Sequence, residues 1–305
     1  MPAPRASPRG HCGRSPADEA APVRGGGGSR SRRGSAPGCF KVEIVLDQGR
    51  AVSSDTSSRH VLVTGAARGI GRAVAAAFVA AGDRVTVLGR TPDSAAAARD
   101  ALGAAHAVAA DVSDAAALAD ALAAAAAALG PVAVLVNNAG GAETAPLPRL
   151  DVAQLRRMMA LNVEPVLVAA QAVAPAMRAA GGGRIVTVAS TAGLKGYPYV
   201  GAYCAAKHAV VGLTRALALE LAGSGITVNA VCPGYTDTDL VTGAVDALEA
   251  RTGRDRAALM AEFTRHNPLG RLIRPEEVAD AVLWLAGPGA AGVTGQAIAV
   301  AGGEV

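Results

Sequence analysis

Three observations in this 305-residue chain predict an α/β fold: a single doubly wound parallel sheet of about seven strands, with helices on both faces. Short apolar runs bounded by turn residues alternate with longer helical patterns for about 240 residues, the order that builds parallel sheets. The first apolar run opens into a glycine-rich turn that leads straight into a helix. A hydrophobic content of 51% against 18% charge is enough to bury one large core.

Residues 60–64, His-Val-Leu-Val-Thr, read as the first buried strand and residues 72–81 as the first helix. Residues 84–88 form a second strand, and a third ends over 108–110, just before Asp111. Residues 115–129 make an alanine-rich helix, stopped at Gly130-Pro131 because neither residue carries a helix forward. Further strands follow at 132–136, 184–189 and 227–231. Helices at 163–180 and 203–223 are apolar on more than one face, more than packing on one sheet requires. Alanine is so abundant that the hydrophobic period is blurred and helix ends are poorly defined.

Residues 1–57 differ in kind. They hold many arginines, the run Gly25-Gly26-Gly27-Gly28 and several prolines, and up to about residue 40 almost no large apolar side chains. Such a composition cannot offset the entropy of ordering, so a disordered extension is expected ahead of a folded domain at 58–305. Its arginine- and serine-rich, acid-poor character resembles an organelle transit segment; a start codon placed too early in an alanine-heavy gene is the plainer expectation. The net charge of +4 owes much to this segment, and aromatic content is only 3%. No basic stripe with stacking residues marks a nucleic-acid surface.

Cys12, Cys39, Cys204 and Cys232 are too scattered for metal-ligand spacing, so no metal is expected and a reducing, cytoplasmic setting is. The run 121–129 is too short and too weakly apolar to cross a bilayer, and no membrane span is expected.

The chemistry is carried by a few spaced residues. Thr64-Gly65-Ala66-Ala67-Arg68-Gly69-Ile70-Gly71 sits between strand and helix, where glycines let the backbone approach a pyrophosphate and a helix N-terminus meets its charge, as in Rossmann-like folds. Far downstream, Tyr203 and Lys207 stand four apart on a helix, so a phenol and an ammonium share one face. The cation is expected to lower the phenol's pKa from about 10 toward neutrality. Ser190 precedes the tyrosine by thirteen positions and supplies a hydroxyl.

With Asn137-Asn138-Ala139-Gly140, Asn162, Pro233-Gly234, Thr238, Arg274-Pro275-Glu276-Glu277 and Val293-Thr294-Gly295-Gln296 in the same order, the chain from about Arg59 onward resembles the short-chain dehydrogenase/reductase family in its single-domain form. The resemblance implies that Tyr203 exchanges a proton with a carbonyl oxygen, that Ser190 bonds the same oxygen, and that Lys207 bonds the nicotinamide ribose. It implies that Asn162 holds a water in a proton relay. Gly65, Arg68, Gly69, Ile70 and Gly71 would cradle the pyrophosphate, Asp111 and Val112 the adenine ring. Asn138, Ala139 and Gly140 would support the adenosine ribose side, and Pro233, Gly234 and Thr238 the nicotinamide end.

Relatives that use NAD(H) usually end the second strand with an aspartate. Here that place is Gly89, followed by Arg90, and Arg68 lies in the glycine turn. Two guanidiniums suit a 2′-phosphate, so NADP(H) is expected ahead of NAD(H). The segments around 207–214, 226–234 and 287–291 resemble bacterial ketoreductases of 3-oxoacyl or polyketide thioesters. That points to reduction of a small-molecule or thioester ketone. Leu219 stands where carrier-docking relatives often have arginine, so a coenzyme A thioester or a free cyclic ketone stays open, with Arg178 as a docking cation or a plain helix end.

Segments 141–150, 192–199 and 239–266 are expected to wall the pocket, the last as a lid carrying Arg251, Arg254, Arg256 and Arg265, with Tyr197 and Tyr199 at the mouth. Two departures stand out. Glu164-Pro165 follows Asn162-Val163 and would bend the helix near the relay, and Ala301 replaces an aspartate before Gly302-Gly303, at an edge expected to bear on assembly. The resemblance implies a homotetramer through the two apolar helices. An NAD-linked alcohol or hydroxyacyl-CoA dehydrogenase is the second enzyme reading, and a non-catalytic nucleotide-binding regulator the third.

Overall fold

The computed structural model describes residues 58–305; the disorder expected for residues 1–57 lies outside the described residues. The strands are β1 (His60–Thr64), β2 (Arg84–Gly89), β3 (His106–Ala109), β4 (Val134–Asn137), β5 (Gly183–Val188), β6 (Ile226–Pro233) and β7 (Ala297–Val300). They form one sheet in the order β3-β2-β1-β4-β5-β6-β7, and every pairing is parallel. The helices are α1 (Gly69–Ala80), α2 (Pro92–Leu102), α3 (Ala115–Leu129), α4 (Val152–Asn162), α5 (Glu164–Ala179), α6 (Gly201–Leu221), α7 (Asp239–Thr252), α8 (Arg256–Thr264) and α9 (Pro275–Ala286).

Strand alternation divides the core in two, because successive side chains point to opposite faces. Val61, Val63, Val85, Val87, Val134 and Val136 pack under α1 and α9 through Val74, Phe78, Val278 and Val282. Leu62, Leu88, Leu135 and Ile185 pack on the other face against Leu118 of α3, Ala169 and Val173 of α5, and Ala218 of α6. The expected single sheet with helices on both faces is thus what the chain builds.

Several boundaries differ from the sequence reading. Helix α1 begins at Gly69 rather than residue 72, so its first turn is made by the glycine motif itself. Strand β3 starts at His106 and ends at Ala109, β4 starts two residues later than expected, and β6 extends to Pro233. Helix α2 escaped notice because four of its eleven residues are consecutive alanines; it is defined by its ends, a Thr91–Ser94 capping box and a left-handed Gly103. Strand β7 is four small residues whose identity comes only from pairing with β6.

The stretch Val152–Ala179 is long and apolar enough, by length and composition, to cross a membrane, which the sequence reading overlooked. It is broken at Val163 into α4 and α5, with Pro165 at the start of α5, where its missing N–H has no helical partner to lose. The bend expected from Glu164-Pro165 is this break. Helix α5 buries Ala169, Ala170, Val173 and Met177.

His60 is 1% exposed, with Nδ1 bonded to the Gly130 carbonyl at 2.7 Å and Nε2 to Thr86 Oγ1 at 2.8 Å. Burial holds its pKa below the ordinary 6.5, so the folded state resists the proton that the unfolded chain accepts. Stability from this residue is therefore present above about pH 6.5 and is lost as pH falls below it. A thermal melt series should show Tm dropping by a few degrees from pH 7 to 5 in the parent, with a visibly smaller drop in His60→Asn. Parallel curves for the two proteins would remove His60 as the cause.

Candidate active site

At the carboxyl ends of the strands lies a crevice of about 1910 Å³. It spans the point where strand order reverses, β1 lying between β2 and β4, which is where open parallel sheets bind ligands. Gly65, Arg68, Gly69, Ile70, Gly71, Arg90, Asp111, Val112, Asn138, Ala139 and Gly140 line one end. Ser190, Tyr203, Lys207, Pro233, Gly234 and Thr238 line the rest. Asn162 alone of the predicted set is outside the lining; it is buried just behind it, at 2% exposure.

The glycine turn is shaped by close packing. Gly65 takes φ +66°, and a Cβ there would lie 2.9 Å from Ala139 Cα. A Cβ on Gly71 would overlap the Gly65 carbonyl and Asn138 Nδ2. Asn138 Nδ2 donates to the Thr64 and Gly65 carbonyls at 2.9 and 3.1 Å, and Thr64 Oγ1 accepts from the Asn138 and Ala139 amides. Asn138 and Ala139 thus brace the turn. No side chain caps α1, so its first-turn N–H groups are left for an anionic ligand, and the residues present fit the diphosphate of a dinucleotide.

Gly89 closes β2 with no space for a side chain, since a Cβ would come within 2.8 Å of the Ala95 amide and Ser94 Oγ. Arg90 and Arg68 are both exposed on the crevice wall, with no ion pair among the described residues. Asp111 Oδ1 accepts from the Ser113 amide and hydroxyl at 2.9 and 2.7 Å, and these bonds, with the nearby charge of Arg90, hold its carboxyl below the usual range. Asp111 therefore builds a turn while facing the crevice. Thr238 precedes α7, and its methyl approaches Gly69, joining the two ends of the site.

Ser190 follows β5 and accepts from the Ala192 amide at 3.1 Å. Its hydroxyl is close enough to the Tyr203 phenol to oppose the upward shift of that group, so the two side chains are neighbours on the crevice wall. Lys207 is 5% exposed; Nζ donates to the Val188 carbonyl at 3.0 Å and lies 5.6 Å from the centre of the Tyr203 ring. The expected lowering of the phenol by this cation is overturned. Burial pushes Tyr203 up to about 12, the nearby Ser190 hydroxyl opposing it, and burial pulls Lys207 down to about 8. Lys207 is buried and Tyr203 partly so, which penalises each charged form, and the ammonium sits by the ring rather than on the hydroxyl.

Asn162 Nδ2 donates to the Gly141 and Met158 carbonyls at 3.0 and 3.1 Å, and Oδ1 accepts from the Gly141 amide at 3.3 Å. A Cβ on Gly140 would stand 2.6 Å from Asn162 Oδ1 and 3.8 Å from Lys207 Nζ, so the two side chains are close neighbours. The break at Val163 leaves this geometry intact.

The segment 239–266 forms α7 and α8 beside the mouth. Its four arginines divide: Arg254 pairs with Glu262 at 2.5 Å and Arg256 with Asp246 and Glu249, whereas Arg251 and Arg265 line the crevice. Arg178 lies 3.7 Å from Glu220, an exposed pair of little energetic weight. Tyr199 is exposed and holds φ +67°, rare for a side-chain-bearing residue. Tyr197 is partly buried rather than free at the mouth. Gly302 and Gly303, expected at an assembly edge, pack on Asn267 and Pro268 of their own chain. Sequence reasoning missed Thr191 and Tyr235, which also line the crevice and carry no motif of their own; Phe263 lines it from within the expected segment 239–266.

Residues 59–249 match the family described as short chain dehydrogenase. The chain belongs to the short-chain dehydrogenase family. It is an oxidoreductase of that family acting on alcohol and ketone groups, and the family binds NAD(P). It is 42% identical over 251 residues to cis-4-hydroxycyclohexanecarboxylate dehydrogenase of Sinomonas cyclohexanicum, covering 81% of this chain and 96% of that protein. It is 39% identical over 256 residues to a ketoacyl reductase of Streptomyces coelicolor described as putative, covering 81% and 97%. Among solved structures, a point variant of actinorhodin polyketide ketoreductase with NADPH superposes with a TM-score of 0.77 at 37% identity, covering 81% of this chain and 97% of that one.

Proposed function

We propose that this dehydrogenase reduces a ketone to a secondary alcohol with NADPH, the ketone being the 3-oxo group of an acyl thioester or a polyketide-like chain. The observation that carries the reading is the placement of Ser190 and Tyr203 together on the wall of the crevice, with a phenol that burial pushes up to about 12 and so keeps protonated near neutral pH. The nicotinamide, when bound, supplies hydride. Tyr203 holds at Oη the proton that the carbonyl oxygen takes up, and Ser190 Oγ donates to the same oxygen as negative charge develops there. Lys207, buried behind the tyrosine, offsets the charge left on the phenol. Asn162 holds the water that returns a proton to the lysine. Gly65, Gly69, Ile70 and Gly71 hold the diphosphate, Asp111 and Val112 the adenine. Asn138 to Gly140 support the adenosine ribose, and Pro233, Gly234 and Thr238 take the nicotinamide end.

The absence of a carboxylate at Gly89 and the presence of Arg68 and Arg90 on the same wall favour NADPH. Arg90→Ala should raise KM for NADPH roughly tenfold or more while leaving KM for NADH within about threefold, since a charge-assisted bond is worth about 1.5–3 kcal/mol. Equal effects on both cofactors would remove the phosphate-clamp argument. Similarity to the ketoacyl reductase of Streptomyces coelicolor and to the actinorhodin enzyme supports the thioester or polyketide assignment.

The similarity to cis-4-hydroxycyclohexanecarboxylate dehydrogenase favours a second reading, NAD-linked oxidation of a cyclic alcohol. Turnover of acetoacetyl thioesters and decalones with NADPH and NADH, set against oxidation of cyclic hydroxy acids with NAD, separates the two. Oxidation alone, with no reduction of either ketone, would sink the leading reading. We also propose a homotetramer, supported by Leu167 on α5 and Leu219 on α6, which are 39% and 84% exposed. Analytical ultracentrifugation tests it, and a monomer at micromolar concentration would exclude it.

A further inference from the structure

Four residues beyond β7, a carboxylate is buried where no family motif placed one. The Glu304 side chain is 2% exposed. Its Oε1 accepts from Tyr197 Oη at 2.5 Å and pairs with Lys195 Nζ at 3.1 Å, and the same ammonium donates to the Glu304 main-chain carbonyl at 3.1 Å. Tyr197 Oη also bonds Thr191 Oγ1 at 2.6 Å, and Lys195 Nζ stands 5.1 Å from the centre of the Tyr197 ring. Glu304 Oε1, Tyr197 Oη, Thr191 Oγ1 and Lys195 Nζ all have partners, so the buried carboxylate and the phenol are held in one arrangement.

The cluster touches both sides of the crevice. Thr191, Lys195 and Tyr197 belong to the loop that follows Ser190. On the opposite side, a Cβ on Gly234 would lie 2.9 Å from Glu304 Oε2, so the carboxylate fills the space beneath the loop after β6. From Tyr197 an aromatic row continues across the substrate end. Tyr197 meets Tyr235 edge-on at 6.1 Å and 75°, and Tyr235 meets Phe263 of α8 edge-on at 5.0 Å and 89°. All three rings line the crevice. The turn that delivers Glu304 is fixed from the lid side as well. Gly302 and Gly303 take φ +62° and +90°, and a Cβ on Gly302 would overlap the Asn267 side chain, just beyond α8.

We propose that Glu304 is a positioning residue that sets the substrate wall: by holding Tyr197, it fixes the row Tyr197–Tyr235–Phe263 and so decides how bulky a ketone reaches Ser190 and Tyr203. It touches no reacting atom itself. The tyrosine hydroxyl, tied to the carboxylate and to Thr191, is withheld from substrate; the ring faces it. The inference rests on the assignment of the crevice to ketone reduction.

The test compares kcat and KM for ethyl acetoacetate and for trans-1-decalone, with NADPH, in the parent and in Glu304→Ala, Glu304→Gln, Tyr197→Phe and the double variant Glu304→Ala/Tyr197→Phe. Glu304→Ala should lower kcat/KM for the decalone at least tenfold more than for the small ester, mainly through KM, with NADPH affinity changed less than about threefold. Glu304→Gln, which still accepts from the phenol, should restore the parent ratio to within about threefold. The double variant should be no worse than Glu304→Ala, because both changes remove the Glu304–Tyr197 bond on which the wall depends. Equal losses on both ketones, failure of glutamine to rescue, or multiplying losses in the double variant would overturn the proposal. Should Glu304→Ala not fold, the ketone ratio in Tyr197→Phe decides: a parent-like ratio overturns the idea and a shifted one supports it. A parent enzyme that reduces neither ketone would sink the reading of the crevice itself, and the proposal with it.

Discussion

Tyr203→Phe is expected to abolish ketone reduction, with kcat falling by two to four orders of magnitude, the range that a positioned general acid contributes. The change removes one oxygen and keeps the ring that packs beside Lys207. Dinucleotide affinity, read from the fluorescence of bound NADPH, should stay within about threefold of the parent. The phenol is held up to about 12 by burial, so it keeps its proton near neutral pH and is set as a donor. Ser190 remains in the variant, and stabilisation of the carbonyl oxygen by its hydroxyl should leave a residual rate above the uncatalysed one. Full activity in Tyr203→Phe would refute the assigned acid.

Lys207→Met should lower kcat by a similar two to four orders, yet leave the fold more stable. The ammonium is buried, bonds one carbonyl, and has its pKa pulled by burial to about 8 from 10.5. Below pH 8 it is charged and can offset a phenolate. The profile of kcat/KM for reduction should therefore fall as pH rises through about 8, and this inflection should be missing in Lys207→Met. The stability consequence has the opposite sign. A base whose pKa is lower in the folded state weakens folding at low pH, and stability returns as pH rises from about 8 toward 10, before Tyr203 begins to titrate in the unfolded chain. A methionine of similar length should raise Tm by several degrees at pH 7 and flatten that part of the curve. An unchanged pH profile in the variant would show that the inflection belongs to another group.

The spacing of Tyr203 and Lys207 located both residues on one helix face, and the structure puts them on one crevice wall beside Ser190. The direction of the phenol's shift was read the wrong way. Spacing reports which side chains are neighbours; burial, which depends on everything packed around them, decides which charge state is favoured. Asn162 shows a related limit. Its chain position was readable, but its enclosure by Gly140, Gly141 and Met158 follows from the break at Val163, where two helices meet.

Strands rich in valine and leucine were legible because each is buried on both faces, which leaves a continuous apolar run. Helix α2 and strand β7 were not, since alanine and small residues carry little hydrophobic signal and those elements are identified by capping and by pairing. The lid arginines illustrate the same division. Four of them were visible in sequence, but only the packing of α7 against α8 shows that Arg254 and Arg256 are engaged in ion pairs while Arg251 and Arg265 face the crevice.

Residue order alone determined the parallel architecture, the glycine turn and the Ser190, Tyr203 and Lys207 set, because each of these depends on local period or short spacing that any folded form must respect. The tertiary structure alone decided the charge states at the site and the bracing of its substrate wall. Glu304 and Tyr197 are 107 positions apart, and nothing local to either announces the other. They meet because β7 lies beside β6 at the edge of the sheet, which carries the chain's last turn under the crevice, out of water, where a carboxylate must find its partners.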